Sequence, residues 1–255
     1  MKISFIQSIH KRRGISLLIC LAVLLLLTAP TAHAVGVSEN RFSTDPVSGN
    51  ETYFAVLYDN KNGLPTSEAN AVLQTSDGFL WIGSYAGLIR YDGCSFERMD
   101  SSTGIASVVR LFEDSRNRLW IGTNDNGLAM MERGELRVWG EEDGLTSSKV
   151  GLIAEDASGI IYAGTTEGIT MVLPDMRLQS LDDPRVAGAY LDCMEATLDG
   201  QIWCLTRDGA VFTLRGGTVE TYFEETDLPI PRIAFILPDQ KDSELLYIGT
   251  EDGCL

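Results

Sequence analysis

The sequence predicts an all-β fold: a β-propeller of four-stranded antiparallel blades, with about five repeats visible and the ring incomplete. Three observations carry this. First, one short strand recurs, as Leu80-Trp81-Ile82-Gly83-Ser84, Leu119-Trp120-Ile121-Gly122-Thr123, Ile161-Tyr162-Ala163-Gly164-Thr165, Ile202-Trp203-Cys204-Leu205-Thr206 and Leu246-Tyr247-Ile248-Gly249-Thr250. Second, its aromatics are spaced by 39, 42, 41 and 44 residues, a period that marks an array of one supersecondary unit. Third, the intervening strands are short, rich in β-branched and aromatic residues, and punctuated by Gly, Asp and Asn, which are hairpin signals. A β-sandwich also has many short strands, but it gives no reason for one aromatic-glycine strand to return in register.

The chain opens on a leader. Lys2, Lys11, Arg12 and Arg13 form a positive n-region, Ile15 to Leu27 is apolar except for Ser16, and Ala32-His33-Ala34 is an A-x-A cleavage site. Residues 1–34 therefore read as a secretory signal peptide, with an uncleaved membrane anchor as the alternative; the apolar stretch is short for a spanning helix, which needs about 20 residues. Cleavage would leave Val35 as the mature N-terminus. Residues 35–51 read as a linker and 52–255 as the partial propeller. Thr52 to Tyr58 looks like the fourth strand of a blade without its first three, placed to complete a last blade and close a ring.

The repeat units fall at about 59–99, 100–140, 141–181, 182–224 and 225–255, the last truncated. The second shows the pattern best. Ser107 to Glu113 is a first strand leading into the turn Asp114-Ser115-Arg116-Asn117. Leu119 to Thr123 is the second strand, Leu128 to Glu132 the third, and Leu136 to Trp139 the fourth. Register holds across units. Twelve residues before each marker aromatic stand Ala69, Val108, Val150 and Leu191; nine before stand Val72, Leu111, Ile153 and Met194. Three before stand Gly78, Asn117, Gly159 and Gly200, where a turn wants positive φ. Gly83, Gly122, Gly164 and Gly249 lie inside strands, where their recurrence predicts close approach of packed sheets. Leu205 replaces that glycine in the fourth unit, so its packing should differ.

Trp81, Trp120, Tyr162, Trp203 and Tyr247 read as structural markers of the repeat, and Trp81, Trp120 and Trp203 are expected to pack between blades rather than to stack on carbohydrate. The loops after the second strands carry the ligand-binding candidates. Tyr85 offers a stacking face and a hydroxyl, Asn124 and Asn126 offer paired donors and acceptors, and Arg207 can hold a carboxylate. Ordinary turn residues are the competing reading. Cys193 and Cys204 flank a predicted hairpin; a four-residue loop, Thr197 to Gly200, would set them opposite each other for a disulfide, and a one-residue slip would part them.

Composition narrows the function. The chain holds 20 Lys and Arg against 36 Asp and Glu, a formal net charge of −16; removing the four basic leader residues leaves 16 against 36. Such a surface argues against nucleic acid and against an anionic bilayer. The only histidines, His10 and His33, sit in the leader. No His-dependent triad or His-ligated metal site can form outside it, and no catalytic residue, metal or cofactor is assigned. Asn124-Asp125-Asn126-Gly127 fails as a calcium loop, because the flanking ligand positions fall on Gly122 and Arg133. The pairs Glu141-Glu142, Asp182-Asp183 and Glu224-Glu225 sit at blade-joining segments and read as solvated connectors, not as facing glycosidase acids.

The pattern Asp143-Gly144-Leu145, Val150-x-x-Ile153, Asp156-x-x-Gly159, Ile161-Tyr162-Ala163-Gly164-Thr165 and Gly168-Ile169 resembles the two-component regulator propeller repeat. The first unit resembles it too, with Asn62-Gly63-Leu64, Asp77-Gly78, Leu80-Trp81-Ile82-Gly83 and Gly87-Leu88. The fourth departs most, with Asp182-Asp183-Pro184 in place of Gly-Leu. The resemblance covers roughly residues 52 to 255. It implies the extracytoplasmic sensor half of a bacterial membrane signalling protein, with a histidine kinase or diguanylate cyclase as output in a longer chain resident in the cytoplasmic membrane. It implies as partners an extracellular small molecule, such as a glycan fragment, and the downstream signalling domain. A docking or homodimerisation platform is the alternative, and a glycan-active propeller enzyme a distant third. This chain is then expected to be the front fragment of such a sensor, or one part of a ring completed by a second chain.

Overall fold

The structure is a computed structural model. It describes residues 57–254 except 62, 100–103, 229–231, 240, 244 and 252. The leader, the 35–51 linker and residues 52–56 of the expected ring-closing strand lie outside the described residues; Leu57 and Tyr58 are described and are not in a strand.

Among the described residues, nineteen strands form five antiparallel sheets. The first blade is β1 (Ala71–Gln74), β2 (Leu80–Ser84), β3 (Gly87–Tyr91) and β4 (Phe96–Arg98). The second is β5 (Val108–Glu113), β6 (Leu119–Thr123), β7 (Leu128–Glu132) and β8 (Glu135–Trp139). The third is β9 (Val150–Glu155), β10 (Ile161–Thr165), β11 (Gly168–Val172) and β12 (Leu178–Ser180). The fourth is β13 (Leu191–Ala196), β14 (Ile202–Thr206), β15 (Val211–Arg215) and β16 (Thr218–Phe223). The fifth has three strands, β17 (Ile233–Pro238), β18 (Leu246–Thr250) and β19 (Gly253–Cys254). Every sheet is a simple meander in chain order, with the marker strand second, and the ring is not closed. The first strands of successive blades adjoin one another, and Arg110 of β5 reaches Glu195 of β13 at 3.4 Å, past the intervening blade. These strands therefore converge on one axis. Among the described residues no helix is long and apolar enough to cross a membrane.

The core is a series of layers between blades, built by the period-2 alternation of the second strands. Trp81 joins Val108, Leu111, Ile121 and Ala129 between blades one and two. Trp120 joins Trp139, Val150, Ile153 and Ile161 between blades two and three. Tyr162 joins Met194, Ile202, Cys204 and Phe212 between blades three and four. The marker thus faces the next blade, while its two chain neighbours face the previous one. Gly122 permits the close approach: a Cβ there would stand 2.6 Å from the Val150 carbonyl oxygen of the following blade. At Gly83 the corresponding contact is Val108 Cγ1, at 2.5 Å. Leu205, in the glycine's place, is buried instead against Val211, Ile233 and Ile236.

On the disulfide that the sequence leaves open, Cys193 and Cys204 are both free thiols. The loop is five residues, Thr197 to Gln201, so Cys204 pairs with Met194 and Cys193 with Leu205, and the two sulfurs fall on opposite faces. Burial pushes both thiols up, Cys204 the more strongly. Val72 keeps its register position but is 60% exposed, and the marker Tyr247 is 43% exposed, since no described sheet covers those two faces. Trp203 is only partly buried, against the short fifth sheet.

Candidate functional site

In a meander, the turns after the second strands and the blade-joining connectors share one end of the barrel of blades. That end carries all four ligand candidates. Tyr85 lies in the β2–β3 turn, 56% exposed, and its carbonyl accepts from the Ser107 N–H at 3.2 Å. Asn124 and Asn126 lie in the β6–β7 turn. The Asn124 N–H donates to the Ser107 carbonyl at 3.0 Å, and the Asn126 N–H donates to Thr123 Oγ1 at 2.9 Å. These contacts make the two asparagines parts of a tight turn, with Asn126 exposed and Asn124 half-buried. Neither they nor Tyr85 lines the cavity at this end.

Arg207 does. It starts the β14–β15 turn and borders a cavity of about 460 Å³, walled by Tyr190, Tyr222 and Arg185 and floored by small residues, Ala187-Gly188-Ala189 and Ala210. The local backbone explains its placement. A β-bulge at the start of β13 leaves Asp192 as the extra residue between Leu191 and Cys193. The same bulge recurs at the start of β5, β9 and β17. A bulge redirects a side chain out of the ladder. Here Asp192 Oδ1 accepts from Arg207 Nε at 3.2 Å and from its NH2 at 3.0 Å. The guanidinium carbon also lies 3.7 Å from the Tyr190 ring centroid, a cation–π stack. The Arg207 N–H donates to the Tyr190 carbonyl at 2.8 Å, so backbone and side chain hold the same neighbour.

Arg185 forms the opposite lip. Asp183 Oδ2 accepts from its NH2 at 2.6 Å and Oδ1 accepts from its Nε at 3.0 Å, and its guanidinium carbon lies 5.8 Å from the Tyr222 ring centroid. The Arg185 hydrogen bonds hold the Asp183 carboxyl down to about 2, and the Asp192 hydrogen bond makes Arg207 still harder to deprotonate. Burial, reinforced by the nearby Glu224 and Asp208 charges, pushes the Tyr222 hydroxyl up, so it remains a neutral donor at physiological pH. The arrangement offers two oriented guanidinium groups, two phenol rings and a small-residue floor. That chemistry suits a ring-bearing small molecule with oxyanion or hydroxyl acceptors.

Of this constellation only Arg207 was legible in the sequence. Tyr190, Arg185 and Tyr222 were missed because they come from a connector and an outer strand, not from the repeated turn. The departure of Asp182-Asp183-Pro184 from the repeat was the available signal: Asp183 caps a turn that delivers Arg185 to the cavity and buries Val186 where the first and third units place Leu64 and Leu145. The other carboxylate pairs sit in connectors as expected. Glu141 begins a 3-10 turn and accepts from the Ser148 N–H at 2.8 Å, and Glu225 packs under Gly209.

The fold and this loop-end cavity define a repeat-built β-propeller with a small-molecule-sized pocket at its loop end. Two segments, residues 63–86 and 104–125, match the model of the two component regulator propeller family. Among solved structures it is similar to the extracellular domain of a hybrid two-component system from B. thetaiotaomicron, with 17% identity and a TM-score of 0.62 over 75% of this chain and 28% of that one. A second such domain from the same organism gives 18% identity and a TM-score of 0.57 over 77% and 28%. Virginiamycin B lyase from Staphylococcus aureus gives 14% identity and a TM-score of 0.61 over 84% and 72%. The chain thus spans less than a third of the length of the two-component structures it matches, and at these identities the likeness is one of fold. No curated protein matches the sequence.

Proposed function

We propose that this propeller is the extracytoplasmic ligand-sensing input domain of a bacterial membrane signalling protein, with a kinase or cyclase output, and that it performs no catalysis itself. The observation that carries the reading is the Arg207–Tyr190–Arg185–Tyr222 cavity, whose two guanidinium groups are held in place by Asp192 and Asp183. The repeat family and the two-component systems among the structural neighbours support the output side. The lyase neighbour is described as inactive once one histidine is changed to alanine. The only histidines of this chain lie in the leader, which argues against the same chemistry here. The ligand class is a ring-bearing acid, of which an acidic glycan fragment is one kind. Calorimetric titration of the purified chain with D-glucuronate and its disaccharides tests this. Arg207→Ala should weaken binding about tenfold or more, the loss of one charge-assisted hydrogen bond, with an unchanged melting temperature. No binding by the native chain, or equal binding by Arg207→Ala, would refute the site.

A further inference from the structure

The Arg207 cavity opens where blade four lacks a seal that blade three has. In blade three, hydroxyl groups tie the connector to the β10–β11 turn. Thr146 Oγ1 lies 2.9 Å from Thr165 Oγ1, and Ser147 Oγ lies 2.9 Å from Thr166 Oγ1. Counted from the marker aromatic, the corresponding connector positions in blade four are Ala187 and Gly188, and the turn positions are Thr206 and Arg207. Neither connector residue has a hydroxyl to reach across. Thr206 Oγ1 bonds within its own hairpin, donating to the Ala210 carbonyl at 3.2 Å and accepting from the Ala210 N–H at 2.9 Å. The gap left between connector and turn is the cavity.

The charges around this gap do not suit a simple anion. Arg207 and Arg185 are each already matched by an aspartate, Asp192 and Asp183. Asp208, next to Arg207 in the β14–β15 turn, also lines the cavity, and its carboxylate has no hydrogen bond or ion pair among the described residues. Arg232, which reaches this turn from the fifth blade, is engaged by the Arg207 carbonyl at 2.8 Å and by Glu251 at 3.8 Å. Asp208 is thus an uncompensated negative charge on the wall, and it would repel a ligand that brought only a carboxylate. Each guanidinium carries five N–H groups and commits Nε and one terminal nitrogen to its aspartate, so further N–H groups remain.

We propose that the ligand of this cavity is an aromatic α-amino acid bound as its zwitterion, and that Asp208 selects the ammonium group. The terminal guanidinium N–H groups take the carboxylate, Asp208 takes the ammonium, and Tyr190 and Tyr222 flank the ring. This rests on the reading of the cavity as a site for a ring-bearing acid and narrows that class: the acid must bring its own counter-charge.

The test compares three ligands by calorimetric titration of the full chain. They are L-phenylalanine, 3-phenylpropionate, which lacks the amine, and N-acetyl-L-phenylalanine, whose nitrogen is uncharged. L-phenylalanine should bind about tenfold more tightly than either of the others, the worth of one charge-assisted hydrogen bond. Asp208→Asn, at an exposed turn position, should erase that preference and bind 3-phenylpropionate at least as tightly as the native chain does. Arg207→Ala should weaken all three ligands. The ligand series is read on the native chain, so it decides the matter even if Asp208→Asn does not fold. Equal binding of L-phenylalanine and 3-phenylpropionate overturns the proposal, as does a preference that persists in Asp208→Asn; in either case the acid site itself still stands. Binding of none of the three overturns it too, and the D-glucuronate titration then decides separately whether the cavity takes acids at all.

Discussion

At the residue scale, the strongest device is the pairing of a turn carboxylate with the marker aromatic. Asp114 is buried and receives the Trp120 indole N–H, the Arg118 N–H at 2.9 Å and the Arg118 Nε at 2.6 Å. Burial pushes its carboxyl up, but these donors outweigh it and hold it below the usual carboxylate range. The sign follows from linkage. A depressed carboxyl stabilises the fold above its unfolded value, and that stability is lost as pH falls through the folded value. Thermal melts from pH 7 downward should therefore show a fall in stability at acid pH that Asp114→Asn removes, leaving a lower but flatter profile. Trp120→Ala should cost about 3–5 kcal/mol, since it empties the layer stacked on Trp139. Trp120→Phe should cost less, about 1–3 kcal/mol, the penalty of leaving Asp114 one donor short. Equal losses for the two variants in denaturant titrations would show that packing alone matters there.

At the element scale, the recurring glycine and the recurring bulge set blade geometry together. The glycine sits where the first strand of the following blade crosses closest, and at Gly122 the nearest atom is a backbone carbonyl that cannot rotate away. Gly122→Ala should therefore destabilise by about 1–3 kcal/mol, as overpacking does, and a denaturant midpoint equal to the native one would contradict this contact. Asn117 shows the other demand: it takes φ 59° at the turn position where the other complete blades have Gly78, Gly159 and Gly200. The left-handed region tolerates asparagine better than most residues, so the repeat survives the exchange. The cysteines show how finely register matters: one extra loop residue puts Cys193 and Cys204 on opposite faces.

At the scale of the molecule, five sheets stand side by side, and the first and last each present a face that no described sheet covers. Phe235, Leu237 and Tyr247 lie together on the fifth blade, with Leu237 paired to Tyr247 across the strands. On blades two to four the equivalent positions are covered by the following sheet. Contiguous exposed apolar surface on a strand pair drives association. The purified chain should therefore show concentration-dependent self-association in sedimentation velocity, and Phe235→Ser with Leu237→Ser should suppress it. A monomer at all concentrations would show that these side chains are shielded in solution.

The sequence alone determined the blade. Strand limits from Leu119 to Thr123 and from Leu128 to Glu132, the positive-φ turns and the order of strands were all legible, because they follow from local alternation and turn chemistry repeated five times. It also singled out the end of the blades that carries Arg207. It could not show that Arg185, Tyr190 and Tyr222 gather around that residue. That gathering depends on contacts between a connector, an outer strand and a turn. Such contacts are set by how sheets pack across tens of residues, where no period in the chain records which side chains meet.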